Sequence, residues 1–186
     1  ISDLENFRAN GWDIDLQAHY RRGGKILGIC GGYQMLGRRI HDHNGIEGPP
    51  QSIDGLGYLN IETTMTPKKN LSFVMAHTVK SQIPVNGYEI HIGETSGLDC
   101  DYAWLRLADR TEGAMSANGH VRGCYLHGLF ASDSFRAEVL RELGTTSQLA
   151  SYDTSVNDTL NQLAKFIERH LDVEGLISLA EEVATD

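Results

Sequence analysis

Cysteine is scarce in this 186-residue chain. There are three, Cys30, Cys100 and Cys124, and no Cys-x-x-Cys pair. An odd, sparse set excludes a disulfide-stapled scaffold and fits a reducing compartment, so a cytoplasmic location is expected. Proline is scarce too, at four, and no Pro- or Ser-rich linker divides the chain. Positive charge is in deficit: 16 Lys and Arg stand against 25 Asp and Glu, a formal charge of −9. Nucleic-acid binders normally carry a basic face, so no nucleic-acid partner is expected. Apolar runs are only a few residues long, too short for a membrane span. The first residues hold no basic stretch followed by an apolar one, so no secretory signal is read there. No repeat of fixed period appears. A chain this long can bury a core without staples, and one domain over residues 1–186 is expected.

Glycine, in contrast, is abundant at 20 residues. The excess sits in tight motifs, where it serves turns rather than disorder. Leu4 and Phe7 open a short helix that breaks at Asn10–Gly11, and a second helix is expected over Asp13–Arg22, ended by Gly23–Gly24. Lys25-Ile26-Leu27-Gly28-Ile29-Cys30 is a short apolar run between glycines and reads as a buried parallel strand. Gly31–Gly32 turns the chain into a helix over Tyr33–Arg39. Residues 45–55 read as a loop. Six strand-like segments follow, at 56–66, 71–80, 85–93, 104–108, 113–117 and 121–127. The end is helical. Ser132 is placed to cap a helix bearing Phe135, Val139, Leu140 and Leu143. Ser155 and Asp158 have capping-box spacing, ahead of an apolar stripe from Val156 to Leu171, and a last helix is expected over Val173–Val183. This order points to an α/β fold with a mixed sheet.

Gly28-Ile29-Cys30-Gly31-Gly32 carries the strongest chemical signal. G-x-C-x-G at a strand end, leading into a helix, has the pattern of a nucleophile elbow. A nucleophile there projects from a sharp turn, small flanking residues let chain and substrate approach, and the helix N-terminus beneath favours negative charge. The Gly31 N–H points to where an oxyanion would form. The competing reading is a buried packing cysteine, the common fate of a free thiol.

A thiol nucleophile needs a base. His127 ends the strand-like run from Val121, at the strand end where active groups collect in open α/β sheets. Its competing role is a turn cap, and His91 is the main rival for the base. His41-Asp42-His43 hints at metal but lacks further ligands in sequence, and Cys124 with His127 lacks a second pair, so no metal site is expected.

Three stretches together resemble a known family. Gly-Ile-Cys-Gly-Gly-Tyr-Gln-Met-Leu-Gly at 28–37 resembles the nucleophile motif of class I glutamine amidotransferases. Val-Asn-Gly-Tyr-Glu-Ile-His-Ile-Gly-Glu-Thr at 85–95 and Gly-Cys-Tyr-Leu-His-Gly-Leu-Phe at 123–130 resemble the amidotransferase domain of cobyric acid synthases, as do Gly-Trp-Asp-Ile-Asp at 11–15 and Gly-Ile-Glu-Gly at 45–48. The resemblance implies a flavodoxin-like, open, mixed or parallel sheet flanked by helices, with the first strand and a Gly-rich oxyanion loop lying ahead of this chain. It implies a Cys–His glutaminase that feeds ammonia to an ATP-dependent synthase domain, which amidates the side-chain carboxylates of adenosylcobyrinic acid a,c-diamide. Cys30 would be the nucleophile, His127 the base and Gly31 the oxyanion donor. Gln34, Tyr88 and Glu89 would contact the glutamine. No cofactor is expected in this domain; ATP and magnesium belong to the synthase domain, the expected partner together with glutamine and, through that domain, the corrinoid.

Two positions depart from the wider pattern. Most class I amidotransferases have Glu two residues after the histidine, where this chain has Leu129; the cobyric acid synthase subgroup shares that gap. Glu89, Asp133 or a main-chain carbonyl are then candidates to orient His127. Cys124 stands where the subgroup commonly has Thr. Alternatives are the glutaminase of a cobyrinic acid a,c-diamide synthase or of a lipid II amidotransferase, a stand-alone Cys hydrolase, and a non-catalytic module of the same fold.

Overall fold

A computed structural model describes residues 1–146 and 151–180. They form two compact units, residues 1–135 and the segment from Arg136 onward.

The first unit opens with helices α1 (Ser2–Ala9) and α2 (Trp12–Arg21). Strand β1 (Ile26–Ile29) runs straight into helix α3 (Gly31–Leu36). Strands β2 (Arg39–Asp42) and β3 (Gln51–Asp54) follow, then a long hairpin of β4 (Glu62–Thr78) and β5 (Pro84–Ser96). Short strands β6 (Leu105–Arg106), β7 (Thr111–Glu112), β8 (Ala114–Met115), β9 (Val121–Cys124) and β10 (Leu126–His127) complete it, before helix α4 (Asp133–Glu142).

The strands form two open mixed sheets flanked by helices, the α/β class expected. One has the order β1-β9-β8, with β1 parallel to β9 and β8 antiparallel to it. The other has the order β10-β5-β4-β2-β3, with β6 and β7 attached through β4. The chain changes sheets at Tyr125, between β9 and β10. The expected strand over 121–127 is therefore two strands in two sheets.

Other boundaries also differ. The two strands expected over 56–66 and 71–80 merge into β4, which begins at Glu62 and pairs with β5 across a register shift between Thr64 and Lys69. The expected helix over Tyr33–Arg39 ends at Leu36, because Arg39–Asp42 pairs with β4 and β3. The expected loop 45–55 contains β3. His41 and Asp42 serve this turn. His41 hydrogen-bonds Ser52 and contacts Glu62, while the buried Asp42 carboxylate accepts the Ile46 and Glu47 N–H groups, which hold its pKa below the usual range.

The elbow unit packs against the core. Ile26, Tyr33, Leu36, Leu59, Ile61, Ala114, Val121 and Tyr125 form one buried cluster. Each large apolar side chain there contributes about 1.5–3 kcal/mol by leaving water. Leu36→Ala would cost about 2–5 kcal/mol and loosen α3 behind the elbow. A second cluster of Leu4, Ile40 and Met65 seats α1 near β2 and β4. Ser132 accepts the Phe135 N–H, the cap expected for α4.

In the second unit, α5 (Tyr152–His170) is capped by Ser151, which accepts the Thr154 N–H, rather than by the expected Ser155, which lies in its first turn. The apolar stripe from Val156 to Leu171 follows as expected. Helix α6 covers Val173–Ser178 and is capped by Asp172; it stops short of the expected Val183, with Leu179 as its C-cap and Ala180 outside the helix, while residues 181–183 lie outside the described ones.

Candidate active site

Cys30 sits between the last residue of β1 and the first of α3, at φ 54° and ψ −117°. Positive φ is unusual for a residue with a Cβ and costs about 1–3 kcal/mol, held in place by its surroundings. Two backbone bonds hold it: Cys30 N–H donates to the Cys124 carbonyl at 2.9 Å, and Gln34 N–H donates to the Cys30 carbonyl at 3.2 Å. Gly28 makes the turn sterically feasible. A Cβ there would lie 2.7 Å from the Gly32 carbonyl oxygen and 2.6 Å from Leu36 Cδ1. Gly31 and Gly32 face open space, so the approach to Cys30 is unobstructed on that side.

The Cys30 thiol donates to the Ile90 carbonyl of β5 at 3.2 Å. His127, on β10, pairs directly with Tyr88 of the same β5. Tyr88 and Ile90 are two residues apart, about 7 Å along a strand. The nucleophile and base candidates therefore converge on one short stretch of β5. His127 is half-buried, and its Nε2 is buried without a hydrogen-bond partner. Gly128 follows with φ 89° and turns the chain away.

The rival base is engaged elsewhere. The His91 ring stacks on Tyr125 at 3.9 Å, with Nε2 at 3.1 Å from Glu89 and Nδ1 at 2.9 Å from the Gly93 carbonyl. The other two cysteines lack the elbow environment. Burial pushes the Cys124 thiol far up, and it pushes the Cys100 thiol up as well.

The remaining expected site residues separate. Gln34 donates its amide N–H groups to the Ile92 carbonyl at 3.1 Å and the Tyr125 hydroxyl at 3.2 Å, tying α3 to β5. Tyr88 and Glu89 are neighbours in a strand, so they face opposite ways and do not line one cleft together. Tyr88 is exposed and packs edge-on against Phe73 at 5.4 Å. Glu89 is buried, its two oxygens held by Arg110 and His91, so it does not orient His127. Leu129 is buried and supplies no carboxylate.

Glu89 lines a cavity of about 390 Å³ with His91, Arg110, Glu112, Tyr33 and Tyr125. Glu112 is 6 % exposed, and burial raises its pKa to about 7. Arg110 and Glu112 carry no sequence signal, since Asp109-Arg110-Thr111-Glu112-Gly113 reads as an ordinary charged turn. Among the described residues, no group of three His, Cys, Asp or Glu is disposed to hold a metal ion, and no helix is long and apolar enough to cross a membrane.

Residues 1–135 match the family model described as the CobB/CobQ-like glutamine amidotransferase domain. Similar curated proteins are cobyric acid synthases. The one from Ruegeria sp. (strain TM1040) is 53% identical over 98% of this chain and 38% of its own length. Those from Methylobacterium nodulans and Cereibacter sphaeroides are each 52% identical, over 97% and 96% of this chain and 37% of their own lengths. The chain thus spans less than two fifths of these relatives. The chain belongs to the CobB/CobQ-like glutamine amidotransferase family.

Proposed function

We propose that this domain is the glutaminase part of a cobyric acid synthase, working through a Cys30–His127 thioester mechanism. His127 takes the Cys30 proton, and the thiolate attacks the side-chain amide carbon of glutamine. The oxyanion that forms is met by the Gly31 N–H. As the C–N bond breaks, protonated His127 returns the proton to the leaving nitrogen, and ammonia departs. Water, deprotonated by His127, then attacks the glutamyl thioester, and glutamate leaves with the thiol restored. The ammonia passes to an ATP-dependent partner domain, which would use ATP and magnesium to amidate side-chain carboxylates of adenosylcobyrinic acid a,c-diamide.

The observation that carries this reading is the strained Cys30 backbone, from which the thiol reaches β5, the strand paired with His127. Such strain persists where the site uses it. A glutamine analogue with an electrophilic side chain should label Cys30 and spare Cys100 and Cys124. Peptide mapping that finds the label on another residue would overturn the assignment.

A further inference from the structure

The peptide linking Cys124 to Tyr125 is gripped on both sides. Its carbonyl accepts the Cys30 N–H at 2.9 Å, and its N–H donates to Glu112 Oε1 at 2.8 Å. A peptide is planar and stiff, so a force on one side sets the other. Two residues later the chain reaches His127, having crossed from one sheet to the other. One carboxylate therefore acts at a point that touches the nucleophile's backbone and leads into the base's strand.

Local structure builds this contact. β8 pairs with β9 only at Ala114–Gly123 and Met115–Arg122. Beyond that pairing, side chains satisfy the edge of the strand: Trp104 Nε1 donates to the Gly123 carbonyl at 2.8 Å, and Glu112 takes the Tyr125 N–H. Gly113, at φ 79°, permits this. A Cβ there would lie 2.5 Å from the Gly123 oxygen and 2.7 Å from Trp104 Nε1.

The arrangement is costly. Glu112 Oε2 is buried without a hydrogen-bond partner, and a buried, half-satisfied carboxyl destabilises a fold. An apolar residue would avoid that cost but would strand the buried Tyr125 N–H. We infer that Glu112 is a positioning residue of the glutaminase site, fixing the Cys124–Tyr125 peptide so that Cys30 and His127 keep their mutual geometry. The inference rests on the Cys30–His127 reading above and adds a residue to it.

The test is the rate at which an electrophilic glutamine analogue labels Cys30, separated into maximal rate and half-saturating concentration. Three variants are compared with the unsubstituted protein. Glu112→Gln keeps an acceptor at the same reach and should stay within about threefold of the parent rate. Glu112→Asp keeps the charge but falls one methylene short, and Glu112→Val removes the acceptor. Both should lower the maximal rate about tenfold to a hundredfold, the usual consequence of a misplaced reacting group, with the half-saturating concentration little changed. Labelling is counted per folded molecule, so lost stability alone does not move it. Should Glu112→Val fail to fold, Glu112→Asp decides. Parent-like labelling of Asp or Val, or a more than tenfold loss in Gln, overturns the inference. An unsubstituted protein that is not labelled at Cys30 would sink the glutaminase mechanism and this inference with it.

Discussion

Replacing Cys30 with Gly should make the protein more stable than replacing it with Ala. At an ordinary position the order is the reverse, because Gly loses more backbone entropy on folding, a penalty of about 0.5–1 kcal/mol relative to Ala. Cys30 is not ordinary. Its φ of 54° and ψ of −117° lie where a Cβ is strained. Strain of this kind costs about 1–3 kcal/mol. Ala keeps the Cβ and the strain, while Gly releases it, and both variants lose the same thiol bond to the Ile90 carbonyl. The net advantage of Gly over Ala is then up to about 2.5 kcal/mol. For a domain of this size that raises the melting temperature by up to roughly 10 °C. Urea titrations or thermal melts of the two variants, run side by side, read the difference directly. Both should be inert toward glutamine, so activity and stability move apart. Ala more stable than Gly by the ordinary margin of about 0.5–1 kcal/mol would show that the elbow stores no strain, and would remove the observation on which the nucleophile assignment chiefly rests.

The parts of the site legible in the sequence are those set by local rules. A short apolar run between glycines marks the strand and the elbow at Cys30, because the sterics of a tight turn are written in adjacent residues. His127 stands out as the last residue of a strand-like run. Helix α5 shows itself through the apolar stripe from Val156 to Leu171, although its cap is Ser151, four residues before the serine with capping-box spacing. What stays hidden depends on partners distant in sequence. Arg-Ile-His-Asp at 39–42 has a single buried apolar residue and becomes a strand because β3 and β4 pair with it. Pro67 to Asn70 looks like a break, yet β4 continues through it by shifting register against β5. Glu89 is expected beside Tyr88 at the glutamine. Its pairing with Arg110, 21 residues away, is a tertiary fact that no spacing encodes. The crossing between sheets at Tyr125 is equally invisible, since a continuous strand-like run over 121–127 gives no sign that its end joins another sheet.

Four further outcomes are expected. In the intact synthase, Cys30→Ser should abolish glutamine-dependent amidation while amidation with added ammonium salt survives; loss of both would assign Cys30 a role beyond ammonia supply. His127→Ala should slow labelling of Cys30 by at least about tenfold to a hundredfold, in line with removing a general base, and unchanged labelling would reject the pair. Glu89→Gln should weaken the fold through its Arg110 and His91 contacts but change glutaminase turnover little, since Glu89 does not hold His127; a collapse in turnover at unchanged stability would contradict that. Stability should also fall as pH rises through Glu112's titration. Burial raises that carboxyl from 4.5 to about 7, so the folded state binds its proton more tightly than the unfolded chain does. The full contribution is present below the unfolded value of 4.5 and is lost progressively as pH rises to about 7, where the unfolded chain ionises freely and the folded one resists. The shift corresponds to about 3 kcal/mol. Asp42 acts in the opposite sense at lower pH, since its carboxylate is held ionised by backbone N–H groups and its stabilisation is lost only as pH falls through its lowered pKa. Glu112→Gln mimics the protonated form and removes the higher-pH step. The variant's stability relative to the parent should therefore grow by up to about 3 kcal/mol between about pH 5 and pH 8, measured by urea midpoints at each pH. The same difference at both pH values would mean that Glu112 ionises in the folded protein as readily as in the unfolded chain, and that its burial beside the Tyr125 amide carries no charge cost.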